Sequence, residues 1–182
     1  IDNDYNIINE WSHNCPPRSI AYLMPDSSLL VPCTGIVKRL DWEGNLLWEY
    51  YLNTDDYINH HDIEPLANGN ILIICWESKT EAEAIAAGRQ NVNSVMNTLA
   101  ILELTPIGAN DAQIHWEWHA WDHLIQDIDT LLPNFGVISE NPQLIDINLV
   151  ENLHGNLGDW LHTNSIHYSS VLDQIILSSR FL

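Results

Sequence analysis

The chain has 182 residues, 46% of them hydrophobic, enough for one sizeable packed core, which excludes disorder as its main description. Six Lys and Arg stand against 25 Asp and Glu, a formal net charge of -19. Such a surface repels phosphate backbones and anionic lipid, which argues against nucleic acid and membrane partners and makes each cation informative.

No run approaches the roughly 18 apolar residues that a spanning helix needs, and no charged-then-apolar leader opens the sequence. The chain starts at Ile1 and ends in the apolar, strand-like run 174–182. Both ends are expected to be cut from something longer, and the chain is read as a fragment.

The first element, Ile1-Asp-Asn-Asp-Tyr-Asn-Ile-Ile-Asn-Glu-Trp11, aligns without a gap on Leu40-Asp-Trp-Glu-Gly-Asn-Leu-Leu-Trp-Glu-Tyr50, 39 residues further on, and more loosely on Leu104 to Trp118. Each copy reads as strand, tight polar turn, and strand ending in an aromatic. Between them recurs a second hairpin pattern, at 20–31, 63–74 and 166–177, with an Asp-Ser or Asn-Gly turn between β-branched and aromatic runs.

Two hairpins make a four-stranded unit, and antiparallel four-stranded units at a period near 40 residues are the signature of propeller blades. The expected fold is all-β: a partial β-propeller of about two and a half to three blades. Residues 1–12 would end one blade, 18–52 and 60–119 would form two more, 120–160 would be a long loop insertion, and 161–182 the first hairpin of the next. A β-sandwich is the alternative architecture. Within 79–95 the run Glu81-Ala-Glu-Ala-Ile-Ala-Ala87 predicts a short helix ending at Gly88, and 120–160, with Pro133, Gly136, Pro142, Gly155 and Gly158, predicts a loop with a helical turn near Leu124 to Leu131.

Cys15, Cys33 and Cys75 have no metal-ligand spacing. Cys15 and Cys33 bracket one predicted hairpin and could pair in an exported protein; three buried thiols is the other reading.

The histidines carry the chemistry. His60-His61-Asp62 and Asp159-Trp-Leu-His162-Thr-Asn164-Ser165 both start the first strand of a blade, so both point at the mouth of the central channel. Strand alternation would put His162 and Asn164 on one face, with Arg180 on the following strand. Two imidazoles, an amide and a guanidinium around one axis favour an anion rich in oxygens; the competing reading has these residues capping strands. His115, His119 and His123 invite a metal reading, but on a strand leading into a turn they do not share a face. No metal and no cofactor is expected.

His60-His-Asp-Ile-Glu-Pro-Leu-Ala-Asn-Gly-Asn70, Trp116-Glu-Trp-His-Ala-Trp-Asp-His-Leu-Ile-Gln-Asp127 and Asp159-Trp-Leu-His-Thr-Asn-Ser165 with Ser178-Ser-Arg180 together resemble the arylsulfotransferase family over nearly the whole chain. The resemblance implies a six-bladed propeller and an exported, often periplasmic enzyme. Its reaction moves a sulfuryl group from a phenolic sulfate donor to a phenol acceptor without the nucleotide donor PAPS, through a transiently sulfated histidine. It implies His162, Arg180 and His61 as catalytic and Asn164 and His60 as substrate-binding, with the sulfated histidine on a later blade, past residue 182. Missing later blades, Ala67 and Ser27 at turn positions, and the strong acidity feed an alternative, a propeller binding or assembly module without the chemistry.

Overall fold

The computed structural model describes every residue except 13, 16–19, 53, 55, 93, 154–157 and 182. Residues 18 and 19 of the expected first full blade, Gly155 of the loop and Leu182 of the last hairpin lie outside the described residues.

Two four-stranded antiparallel sheets follow in chain order. The first meanders through β1 (Tyr22–Leu23), β2 (Leu29–Cys33), β3 (Ile36–Leu40) and β4 (Leu46–Tyr51). The second runs through β5 (Tyr57–Pro65), β6 (Ile71–Lys79), β7 (Met96–Ile107) and β8 (Asp111–His119). Two short strands, β9 (Leu124–Ile125) and β10 (Ile145–Asp146), pair in parallel, and β11 (Thr163–Ser169) and β12 (Gln174–Ser179) form a hairpin. The chain is all-β, built of blade-like sheets that make a partial propeller.

The hairpin turns repeat atom for atom. Leu66 N–H donates to Asn70 O and Gly69 N–H to Leu66 O; in the first sheet Met24 N–H donates to Ser28 O and Ser27 N–H to Met24 O. Ser27 therefore stands where Gly69 stands, at φ 65° against 88°. A side chain in that left-handed region is strained by about 1–2 kcal/mol, partly offset in a glycine by the extra freedom of the unfolded chain. Ser27→Gly is expected to raise the unfolding free energy by about 0.5–1 kcal/mol, measured by urea denaturation; a decrease would contradict the equivalence of the two turns.

The 39-residue repeat is visible in the same way. Asp2 accepts from Asn6 N at 2.9 Å and Asn6 Nδ2 at 2.9 Å, and Asp41 accepts from Asn45 N at 2.7 Å and Asn45 Nδ2 at 2.8 Å. Residues 1–12 nonetheless form this turn without strands on either side, unlike the expected end of a blade. A two-stranded hairpin with Ile1, Ile7 and Ile8 exposed, held to the first sheet by Asn9 and Trp11 on Asp41 and Trp42, is marginal as a strand pair.

The core lies between blades. On β6, Ile71, Ile73 and Cys75 face the first sheet and pack with Leu30, Val37 and Trp48, while Leu72 and Ile74 face the other way and pack with Ile166, Leu161 and Trp160. A strand covered on both faces explains the unbroken apolar run Ile71-Leu-Ile-Ile-Cys75. Burial pushes the Cys75 thiol well above its usual range. Trp48 Nε1 donates to Asp111 O at 2.9 Å and Trp11 Nε1 to Asp41 O at 2.8 Å, each tying an outer segment to the turn of the next unit.

Inner strands are tied by Asp62. Its carboxylate accepts from Ile63 N at 3.0 Å on its own strand, from Ile166 N at 3.2 Å on β11, and from Tyr22 Oη at 3.4 Å on β1. Burial, with the charges of Asp62 and Glu64, pushes the Tyr22 phenol up to about 12, so it stays a donor.

Helix α1 (Glu81–Ala86) forms as its sequence predicts, with a Thr80 and Glu83 capping box. The helical turn expected near Leu124 to Leu131 is displaced: a 3-10 turn occupies Ala120–His123 and Leu124 and Ile125 are extended. Gln126 is the reason. Its buried Oε1 accepts from Ile128 N at 2.8 Å and Asp129 N at 2.7 Å, taking the backbone donors a helix would use. Buried Arg89 clasps the insertion, donating from Nη1 to Ile147 O at 2.8 Å and from Nη2 to Glu151 O at 3.1 Å. Cys15 and Cys33 are joined as a disulfide, with Cα atoms 6.0 Å apart.

Candidate active site

Two positive-φ histidines define the site. His61 sits at φ 54° within β5, and His162 at φ 50° immediately before β11. Left-handed backbone at a non-glycine residue carries about 1–3 kcal/mol of strain and persists where the surroundings over-determine it, a pattern that clusters at functional sites. Both adjoin irregularities of the ladder: on β5 the register shifts between Asn59 and Ile63, and on β11 between Thr163 and Ser165. Such bulges bend a strand and re-aim its side chains.

The imidazoles of His61 and His162 consequently meet edge to face, with ring centroids 4.9 Å apart. Both residues are half-buried. His60 lies behind them, 6% exposed, stacked on Trp76 at 4.4 Å and edge-on to His61 at 5.2 Å. Of the two adjacent histidines, His61 is the one that reaches His162.

The bulge also corrects the expected alternation. Thr163 and Ile166 are both buried, a spacing of three, and Asn164 falls at the irregularity and is exposed. A strict two-residue period does not relate His162 to Asn164, because His162 precedes the strand in a left-handed conformation.

Arg180 follows the last residue of β12 rather than lying within it, and its N–H donates to His162 O at 3.1 Å. The Phe181 ring lies 5.8 Å from the His162 ring and 5.3 Å from Arg180 Cζ, so one aromatic touches both. The other described cations are engaged. Lys38 pairs with Glu49 at 3.6 Å, Arg39 with Asp26 at 2.6 Å, Lys79 with Glu77 at 2.7 Å, and Arg89 with carbonyls. Among the described residues, Arg180 is the one Lys or Arg whose charged group is given to no carboxylate or carbonyl. In a chain of net charge -19, an exposed arginine held in this way is suited to an anionic ligand.

Sequence reasoning passed over three supporting residues. Asp159, 6% exposed, holds His162 Nδ1 at 2.5 Å and accepts from His162 N–H and from Trp76 Nε1, each at 3.3 Å. The Asp-x-x-His spacing was a readable signal, since a short acidic side chain bonds backbone N–H groups a few residues on. Trp76 and Phe181 carried no signal, because tryptophan and phenylalanine in strand patterns read first as core.

His115, His119 and His123 separate. His115 is exposed, His119 lies between Glu77 at 3.4 Å and Glu117 at 3.6 Å, and His123 stacks on Trp118 at 4.9 Å. Among the described residues no three His, Cys, Asp or Glu side chains are grouped to hold a metal ion.

The insertion rises from the same end of the second sheet as the histidines. Asn97 N–H donates to Gly158 O at 2.9 Å and Trp160 N–H to Asn97 O at 3.1 Å, pinning the segment that leads into His162 to the start of β7.

Fold and site together define a propeller-type all-β protein with paired imidazoles, one in the middle of β5 rather than at its expected start and one just before β11, and an arginine bonded to the second through its backbone. A family model described as Arylsulfotransferase (ASST) matches residues 16–181, and the chain belongs to the arylsulfotransferase family. A comparison with curated proteins gives no match.

Proposed function

We propose that this chain carries part of the active site of a PAPS-independent aryl-sulfate sulfotransferase, with His61, His162 and Arg180 acting on the sulfuryl group and Asn164 adding a neutral donor. The observation that carries the reading is the direct contact of the His61 and His162 rings, with Arg180 bonded to His162 O and its guanidinium given to no carboxylate or carbonyl among the described residues.

The transfer runs in two displacements. A histidine nitrogen attacks sulfur, the bond from sulfur to the donor's phenolic oxygen breaks, and the departing phenolate takes up a proton. The acceptor phenol then loses its proton as its oxygen attacks sulfur, the nitrogen–sulfur bond breaks, and the histidine is regenerated. The family resemblance assigns that nucleophile to a later blade. Charge spreads over three equatorial sulfuryl oxygens, as in phosphoryl transfer, and Arg180 and Asn164 are the proposed donors to it. The imidazole pair of His61 and His162 is assigned the phenolic proton. His60, stacked on Trp76, supports His61 from behind.

Export to an oxidising compartment goes with this reading, supported by the Cys15–Cys33 disulfide. Small phenols and their sulfate esters are the proposed substrates.

The test is transfer from 4-nitrophenyl sulfate to a second phenol, followed by 4-nitrophenol release at varied acceptor concentrations in the protein from its natural source. Parallel double-reciprocal lines are the expected ping-pong pattern. Absence of acceptor-dependent release would make a binding or assembly role the better account.

A further inference from the structure

The structure assigns Asp159 as a positioning residue that fixes the tautomer of His162, so that the neutral ring keeps its proton on Nδ1 and presents Nε2 as a lone pair to the site. The catalytic consequence rests on the sulfotransferase reading; the tautomer itself does not.

The argument starts from the donors around the carboxylate. Asp159 Oδ1 accepts two N–H groups that cannot reverse role, the backbone of His162 at 3.3 Å and the indole of Trp76 at 3.3 Å. Oδ2 is left to His162 Nδ1 at 2.5 Å. An ionised carboxylate is an acceptor only, so Nδ1 must donate. The ring then has Nε2 as its second nitrogen, which makes no hydrogen bond among the described residues.

Burial makes this choice firm. Asp159 is 6% exposed and its backbone is bridged to Asn97, so the carboxylate is held with little freedom to turn. The other tautomer would set two lone pairs against each other.

In sulfuryl transfer this separates two tasks. As a neutral ring, His162 accepts a proton at Nε2 from an incoming phenol while Nδ1–H stays against Asp159. As an imidazolium, it donates Nε2–H to a sulfuryl oxygen or returns that proton to a departing phenolate. Both need the proton on Nδ1 to be fixed.

The arrangement predicts an inversion in Asp159→Asn. The indole and the backbone N–H still require an oxygen at the Oδ1 position, so the amide must place its NH2 where Oδ2 was. That NH2 donates to Nδ1 and drives the ring proton to Nε2. Asp-to-Asn replacement behind a catalytic histidine elsewhere works through such a wrong tautomer and lowers kcat by about 10⁴-fold.

The experiment is long-range 1H–15N correlation of this chain with 15N-labelled histidine, at a pH where the ring is neutral, with His162 assigned by comparison with His162→Gln. The expected result is a protonated Nδ1 in the natural sequence and a protonated Nε2 in Asp159→Asn. A protonated Nε2 in the natural sequence overturns the proposal without any need for the variant to fold, and so does a folded Asp159→Asn chain that keeps Nδ1–H. In the turnover-competent protein, Asp159→Asn is expected to lower kcat by about 10²–10⁴-fold with KM little changed. Inversion of the tautomer with kcat unchanged would remove His162 from sulfuryl transfer and leave the tautomer assignment standing, so the two claims fail separately.

Discussion

Arg180→Ala is expected to lower turnover of an aryl sulfate by about 10²–10³-fold, the loss that follows removal of one preorganised donor from a developing oxyanion. The fold should survive the change. The guanidinium has no carboxylate or carbonyl partner among the described residues, and its contact is with the face of Phe181 at 5.3 Å. The backbone N–H that ties this residue to His162 O is kept in the alanine variant. Thermal unfolding should therefore move by no more than about 1–2 °C, as for other exposed substitutions. Turnover within a few fold of the natural sequence would remove Arg180 from the site, and loss of turnover together with loss of fold would make its role structural.

Gly158→Ala should act on the same site from the opposite direction, through stability. Gly158 is at φ 64°, and a Cβ there would collide with the carbonyl oxygen of Val95. Neither partner can yield cheaply, because both are backbone and Gly158 O is already bonded to Asn97 N. Left-handed strain and overpacking together amount to about 3 kcal/mol, readable as a lower denaturation midpoint. The next residue is Asp159, so the displaced loop also releases the carboxylate from His162 and Trp76. A variant as stable as the natural sequence would show that the loop does not press on β7 in solution.

Much of the fold was legible because turn chemistry repeats along this chain. The Asp41–Asn45 turn follows from Asp-x-x-Gly-Asn, the Leu66–Asn70 turn from Ala-Asn-Gly-Asn, and both recur at the expected distance with the same hydrogen bonds. Glu81 to Ala86 was readable as a helix from its Glu- and Ala-rich run ending at Gly88, and the structure adds a Thr80 and Glu83 capping box at its start. The displaced turn after His119 was not, since it depends on a glutamine side chain capturing backbone donors, a choice that local composition does not encode.

The site was legible by residue type and opaque in geometry. His61 and His162 stood out as paired imidazoles expected at the starts of inner strands, and the structure brings their rings together with His61 in mid-strand. What periodicity could not supply was the left-handed backbone at both residues and the bulges beside them, which break the alternation used to relate His162 to Asn164. Asp159 was overlooked although its Asp-x-x-His spacing was readable, because among 25 acidic residues that spacing does not show which carboxylate is buried against a ring.

The most direct test of the central claim is a titration of the 15N-histidine-labelled chain with 4-nitrophenyl sulfate. The account expects the ring signals of His61 and His162 to move together along one binding curve, with the response weakened in Arg180→Ala. Signals of His61 and His162 that stay fixed while the ester binds, or that move no more than those of exposed His115, would contradict an anion site at this pair.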